Sequence, residues 1–334
     1  MLRYTFSLSL LASYILSTHA ATVFFKQDEF IGTSFLDHFE WETFDDPTHG
    51  RVNYVDRDTA LQHNLSFATT NKFVMRADSW SIVPPGARGR DSIRISSRSA
   101  YDEAVFVLDL SHMPTGCATW PAFWTLSAAG PWPTGGEIDI IEGVNLGNQN
   151  LASLHTLPNC AVLQNRSQTG TTISTDCDAQ ANSNQGCDCD LTAQAQSTSA
   201  PSFGSPFNDG GGGFYAMSKT RGGGIAVWFW PRNSRSVPVE ILNGGATVVP
   251  SVSWGTPAAY FPLGDNCPYD GHFDAHKMVF DLTFCGDWAG SVWSTSGCGV
   301  GTCEDYVNNN PHAFEDAYWE VNSLRIYTPV TGGW

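Results

Sequence analysis

The chain has 334 residues, of which 42% are hydrophobic and 13% aromatic, enough apolar side chain to build a sizeable core. Seventeen basic residues against 33 acidic ones leave a formal charge of −16. That charge repels a phosphate backbone and excludes nucleic acid as a partner, whereas a neutral polymer is compatible with it.

The first predicted segment lies outside the fold. Met1-Leu2-Arg3, the apolar run from Phe6 to Leu16 and then Thr18-His19-Ala20 form the basic, apolar and small-residue sections of a secretory signal over residues 1–20. Residues 21–334 are then expected to form a single secreted, extracellular domain. No later stretch is long and apolar enough to span a bilayer, and the C-terminus lacks the hydrophobic tail of a GPI signal, so no membrane partner is expected. Asn64-Leu65-Ser66 and Asn165-Arg166-Ser167 are N-glycan acceptors. Nine cysteines fit the same oxidising route, with four bridges and one thiol. Cys187-Asp188-Cys189 has the wrong spacing for a zinc knuckle, and no metal is expected.

Further along, almost every element reads as a strand. Residues 92–96 alternate, and runs 105–110, 226–230 and 278–284 are short apolar or aromatic stretches bounded by turn residues. Residues 214–219 and 225–230, joined across Gly222-Gly223-Gly224, read as a hairpin. Segment 164–213 is rich in Ser, Thr, Asn, Gln and Gly and reads as a long disulfide-tied loop. Brief helices are expected only over 304–308 and near 313–316. Many strands with Gly and Pro punctuation imply an all-β, two-sheet sandwich.

The most informative run is Gly135-Gly136-Glu137-Ile138-Asp139-Ile140-Ile141-Glu142-Gly143. Strand residues at i, i+2 and i+4 share a face, so Glu142 should point away from Glu137 and Asp139. A β-bulge at Ile140-Ile141 would return it to their face. Two carboxyls about 5 to 5.5 Å apart are what a retaining glycosidase requires, with Asp139 between them to share a proton with Glu137. Crowding drives such pKa values apart, so one acid stays ionised and another protonated. A merely solvated acidic strand is the bland alternative, disfavoured by lost β propensity and mutual repulsion. A calcium or magnesium site is the stronger rival, but it would recruit loop carbonyls that a stiff isoleucine-rich strand lacks.

Trp120-Pro121-Ala122-Phe123-Trp124, the run from Glu137 to Glu142 and Cys285-Gly286-Asp287-Trp288-Ala289-Gly290 together resemble glycoside hydrolase family 16, in its fungal (basidiomycete) laminarinase-type endo-β-1,3(4)-glucanase branch. Two residues between Asp139 and Glu142 match that branch, whereas strict lichenases have one. The resemblance implies a β-jelly roll of the concanavalin A-like type with a concave substrate cleft. It implies Glu137 as nucleophile, Asp139 as its partner and Glu142 as general acid/base. It also marks Trp120, Trp124, Trp132 and Trp288 as faces for sugar rings, although a tryptophan is more often packing than binding. Arg94 is either a binder of sugar hydroxyls or a solvated arginine, and His155 is expected to support Glu142. The implied protein is a monomeric, secreted retaining endo-glucanase that needs no cofactor and acts on β-1,3-glucan and mixed β-1,3/1,4-glucan. A non-catalytic β-glucan-binding protein and a cell-wall glucan transglycosylase are the alternatives. Cys189 looks like an addition to an even cysteine set.

Overall fold

A computed structural model describes residues 22–191 and 201–330; the signal expected over residues 1–20 lies outside the described residues. Two antiparallel sheets pack face to face. The first has the order Thr247–Val248, Phe24–Phe30, Tyr318–Pro329, Ala104–His112, Gly213–Thr220, Gly224–Pro231 and Ala259–Phe261, with Ser66–Ala68 and Phe73–Arg76 joined onto Tyr318–Pro329. The second runs Thr171–Thr172, Cys187–Asp190, Leu151–His155, Glu137–Glu142, Thr119–Ser127, His276–Phe284, Arg94–Ser97 and Phe39–Trp41.

Period-two patterning explains the packing. Phe106, Leu108, Met217 and Leu324 from the first sheet meet Phe123, Ile138, Ile141, Leu154 and Phe280 from the second in one buried cluster. Phe280 stacks on Phe123 at 4.3 Å between ring centroids and meets Trp319 of the opposite sheet edge-on at 5.6 Å. The outer face of the first sheet is also buried, because Trp228 and Trp230 pack under Ile241 and Trp254 of the segment that follows them. The second sheet keeps its outer face for side chains such as Trp120, Trp124 and Glu142, which remain partly exposed.

The expected hairpin forms, with Thr220 paired to Gly224. Four disulfides form, Cys117–Cys298, Cys160–Cys267, Cys177–Cys187 and Cys285–Cys303, and Cys189 remains a buried thiol. Two expectations need correction. The alternating run 92–96 breaks at Ile93 into Arg90–Ser92, which pairs in parallel with Val52–Tyr54, and Arg94–Ser97 in the second sheet. Segment 164–213 is more than a loop: its Cys187–Asp190 pairs with Leu151–His155 and extends the sheet beyond the acidic strand. Helices also occur where none was read, such as Arg57–Gln62, which Asp56 caps by accepting from the Thr59 amide. Each has only a few residues, too few to show a helical period. Among the described residues no helix is long and apolar enough to cross a membrane.

Candidate active site

The acidic strand begins at two glycines with left-handed backbone, Gly135 at φ 74° and Gly136 at φ 79°. A Cβ on Gly136 would sit 2.5 Å from the His272 carbonyl oxygen, so a side chain is excluded there. His276 buttresses this turn from beneath: its Nε2–H donates to the Gly135 carbonyl at 2.7 Å, and its Nδ1 accepts from the Thr125 hydroxyl at 2.9 Å. Burial, reinforced by the Lys219 charge, pushes the imidazole down to about 3 and keeps it neutral for this task.

The bulge is present. Glu137 lies opposite Leu126 and Asp139 opposite Trp124, but the next pair is Ile141 with Phe123, followed by Glu142 with Ala122. Ile140 is the extra residue, and the alternation shifts by one so that Glu142 shares the face of Glu137 and Asp139. A bulge leaves backbone groups without ladder partners. The buried Asn150 supplies both: its Nδ2 donates to the Ile140 carbonyl at 2.7 Å, and its Oδ1 accepts from the Glu142 amide at 2.9 Å. Nothing in the sequence singled out this asparagine.

Each acid has its own partner. The Trp132 indole donates to Glu137 Oε2 at 2.9 Å, and the Trp120 indole donates to Glu142 Oε1 at 2.8 Å. Asp139 Oδ2 faces His155 Nε2 at 3.3 Å as an ion pair, without the alignment of a hydrogen bond. His155 is therefore placed differently from the expectation. It stands opposite Glu137 and pairs with Asp139, because Leu151–His155 runs alongside the first half of the acidic strand and not beside Glu142. Asp139 faces His155 as well as Glu137, the three side chains having ligand atoms within 4.8 Å of one another.

Burial and the Asp139 charge push Glu137 up to about 8, while His155, the Trp132 N–H and Arg94 restrain the rise. Glu142 is raised well above the usual carboxylate range by burial and Asp139, and Glu137 adds to the rise. Burial alone would lower His155, but the contact and charge of Asp139 and the charges of Glu137 and Glu142 reverse this and push it up to about 10. The site therefore sets an imidazolium beside two carboxyls that both hold their protons more tightly than usual. Glu137, Asp139 and His155 have ligand atoms within 4.8 Å of one another, spacing that could hold a cation. An imidazolium has no lone pair to offer, so the cluster is closed to a metal in this protonation state.

The remaining expected residues divide by what they touch. Trp124 donates to Asp281 Oδ1 at 2.7 Å, and Tyr54 donates to the other oxygen at 3.3 Å. Arg94 is not solvated. It is only 7% exposed, its Nε donates to Glu42 Oε2 at 2.7 Å, and its guanidinium lies 5.0 Å from the Trp124 ring centroid and 4.9 Å from that of Phe44. It lies over the Trp124 ring and supports it from that face. Trp288, in the turn Gly286–Gly290, meets Trp120 edge-on at 5.7 Å. Trp132 is 47% exposed. Asn64 and Asn165 lie on the surface, accessible to modification.

The family description "XgeA-like, catalytic GH16 domain" matches residues 39–327. A probable glycosidase of Schizosaccharomyces pombe is 42% identical over 90% of this chain and 68% of its own length. A probable endo-1,3(4)-beta-glucanase of Aspergillus fumigatus is 39% identical over 96% of this chain, which spans only 48% of that relative. Among solved structures, GH16 laminarinase 16A from Phanerochaete chrysosporium, described with two β-glucans in its donor and acceptor sites, superimposes with a TM-score of 0.86 at 46% identity, covering 92% of this chain and all of that one. An elongating GH family 16 β-1,3-glucosyltransferase reaches a TM-score of 0.81 at 38% identity, covering 91% and 100%. The acidic strand, its bulge and the two-sheet sandwich thus sit within a match that spans most of the sequence, and the chain belongs to glycoside hydrolase family 16.

Proposed function

We propose that the protein is a secreted retaining endo-glucanase that hydrolyses β-1,3-glucan and mixed β-1,3/1,4-glucan by double displacement. The observation that carries this reading is the bulge at Ile140, which gives Glu137 and Glu142 a common face. Glu137, the easier of the two to ionise, attacks the anomeric carbon, and Glu142 donates its proton to the leaving glycosidic oxygen. Esterification of Glu137 removes one of the charges that raise Glu142, which eases ionisation of Glu142 so that it can take a proton from the incoming water. Asp139 stays paired with His155 at 3.3 Å. Trp120, Trp124, Trp132 and Trp288 offer flat apolar faces to the sugar rings, with Trp124 fixed by Asp281 and Arg94. The signal-like residues 1–20 and four disulfides support secretion.

A second reading has a specific basis in the likeness to a β-1,3-glucosyltransferase. Such an enzyme keeps the same acids but passes the glycosyl group to a sugar instead of water. Chromatography of products from laminarin, lichenan and cellulose decides between the two. A hydrolase yields shortening fragments from laminarin and lichenan and leaves cellulose intact, and a transferase yields products longer than the substrate at low conversion. No change in any substrate would overturn both.

A further inference from the structure

His155 rests on a loop whose backbone is unusual. Between Cys177 and Cys187, joined by a disulfide, Asn182, Ser183 and Asn184 take φ values of 49°, 58° and 61°, and Gly186 takes 73°. Left-handed backbone is unfavourable for residues with a side chain, and three in succession persist only where the surroundings impose them. The loop delivers two things to the imidazole. Asn184 Oδ1 lies 2.9 Å from His155 Nδ1, and the bare Gly186 backbone makes room for the ring, since a Cβ there would stand 2.8 Å from His155 Cε1. No feature of the acidic strand requires this arrangement.

The chemistry follows from the two contacts. An amide oxygen can only accept, so Nδ1 must carry a hydrogen. Nε2 faces the Asp139 carboxylate and needs one as well. We infer that Asn184, presented by the loop Cys177–Cys187, is a positioning residue that fixes His155 as the doubly protonated partner of Asp139, and so keeps Glu137 able to ionise. The groups facing the ring are Glu137 and Asp139 on the acidic strand, Glu142 beyond its bulge, and Asp188 on the far strand, where it lies opposite Ser153. All four are acids and favour the cation; Asn184 orients it. Without the cation, the Asp139 charge is uncompensated and holds a proton on Glu137. This inference rests on the proposed roles of Glu137 and Glu142.

The test uses the full-length protein and two substitutions that suit left-handed backbone. Asn184→Gly removes the oxygen without adding strain, and Asn184→Asp keeps an acceptor in place. The His155 ring signal, assigned by its absence in His155→Gln, is followed by NMR against pH without substrate, alongside kcat and KM on laminarin. In Asn184→Gly the ring should titrate at least about one pH unit lower than in wild type, and kcat should fall about tenfold once it discharges, with KM within about twofold. Asn184→Asp, which keeps the acceptor and adds a negative charge, should titrate no lower than wild type. An unmoved titration in Asn184→Gly, or an Asn184→Asp protein as impaired as Asn184→Gly, overturns the inference. If wild type leaves laminarin untouched while the ring titration still shifts, the functional reading fails and the positioning role of Asn184 stands.

Discussion

The two ends of the acidic strand carry the same side chain in different company. At one end Glu137 has the exposed Trp132 and the cationic His155 beside it, and its carboxyl is raised to about 8. At the other end Glu142 follows the bulge, is bound by Trp120 with Trp288 behind it, and lies further above the ordinary range. Both glutamates are partly exposed and both accept one indole N–H, so neither exposure nor hydrogen bonding alone separates them. What differs is their company: His155 stands directly across the strand from Glu137, whereas Glu142 lies beyond the bulge and also feels the Glu137 charge. Position along one strand thus divides attacker from proton donor.

The harshest way to break this pairing is Glu137→Gln, which removes the attacking charge and little volume. Turnover of laminarin should fall by about four orders of magnitude while circular dichroism stays native. Stability should move the other way. A carboxyl raised from 4.5 in the unfolded chain to about 8 when folded stabilises least once ionised, so wild type loses this contribution as pH rises through that window. Glu137→Gln should therefore melt no lower than wild type at pH 5 and higher at pH 8; a mutant keeping a tenth of the activity contradicts the assignment.

Glu142→Ala attacks the other end. It should slow polysaccharide cleavage by about 10² to 10⁴-fold and activated aryl glycosides much less, because a good leaving group needs no proton. Added azide should rescue the aryl substrate as a β-glycosyl azide, and equal loss on all substrates without rescue would remove Glu142 from the acid role.

A smaller effect is expected at the bulge itself. Asn150→Ala strands the Ile140 carbonyl and the Glu142 amide, at a cost of about 2 to 4 kcal/mol in urea unfolding. Its kcat should fall more than about tenfold even where the protein is fully folded, since Glu142 is no longer held on the common face. Unchanged kcat would mean that the bulge holds without this clamp.

The finest probe is the pair Trp132→Phe and Trp120→Phe, each of which deletes one indole donor. Removing a donor to a carboxylate raises its pKa. Trp132→Phe should thus shift the acid limb of kcat/KM upward and leave the alkaline limb in place, and Trp120→Phe should do the reverse, each by less than about one pH unit. Shifts of the same limb in both would erase the proposed asymmetry.

What could be read from the residues and what could not have a common physical reason. The acidic run and its bulge were legible because period two and the cost of buried charge act within a few neighbouring residues. Asn150, Asn184 and Gly186 were not, since their importance arises from strand pairings and backbone angles that composition does not record. The surroundings of Arg94 were not legible because Glu42, Phe44 and Trp124 come from separate segments that meet only in the folded protein. Cys187–Asp190 was hidden in a polar segment with no strand propensity, and its pairing with Leu151–His155 places it in the sheet. Burial of Asp139 and the cationic state of His155 likewise depend on that neighbouring strand.

The most direct test of the shared face of Glu137 and Glu142 is stereochemical. Proton NMR of laminarin hydrolysis in its first minutes, before mutarotation, reads the anomer released at the new reducing end. Displacement at one carbon first by Glu137 and then by water gives the β-anomer first. First appearance of the α-anomer would mean a single displacement by water, and would contradict both the attack by Glu137 and the double-displacement chemistry built on the bulge.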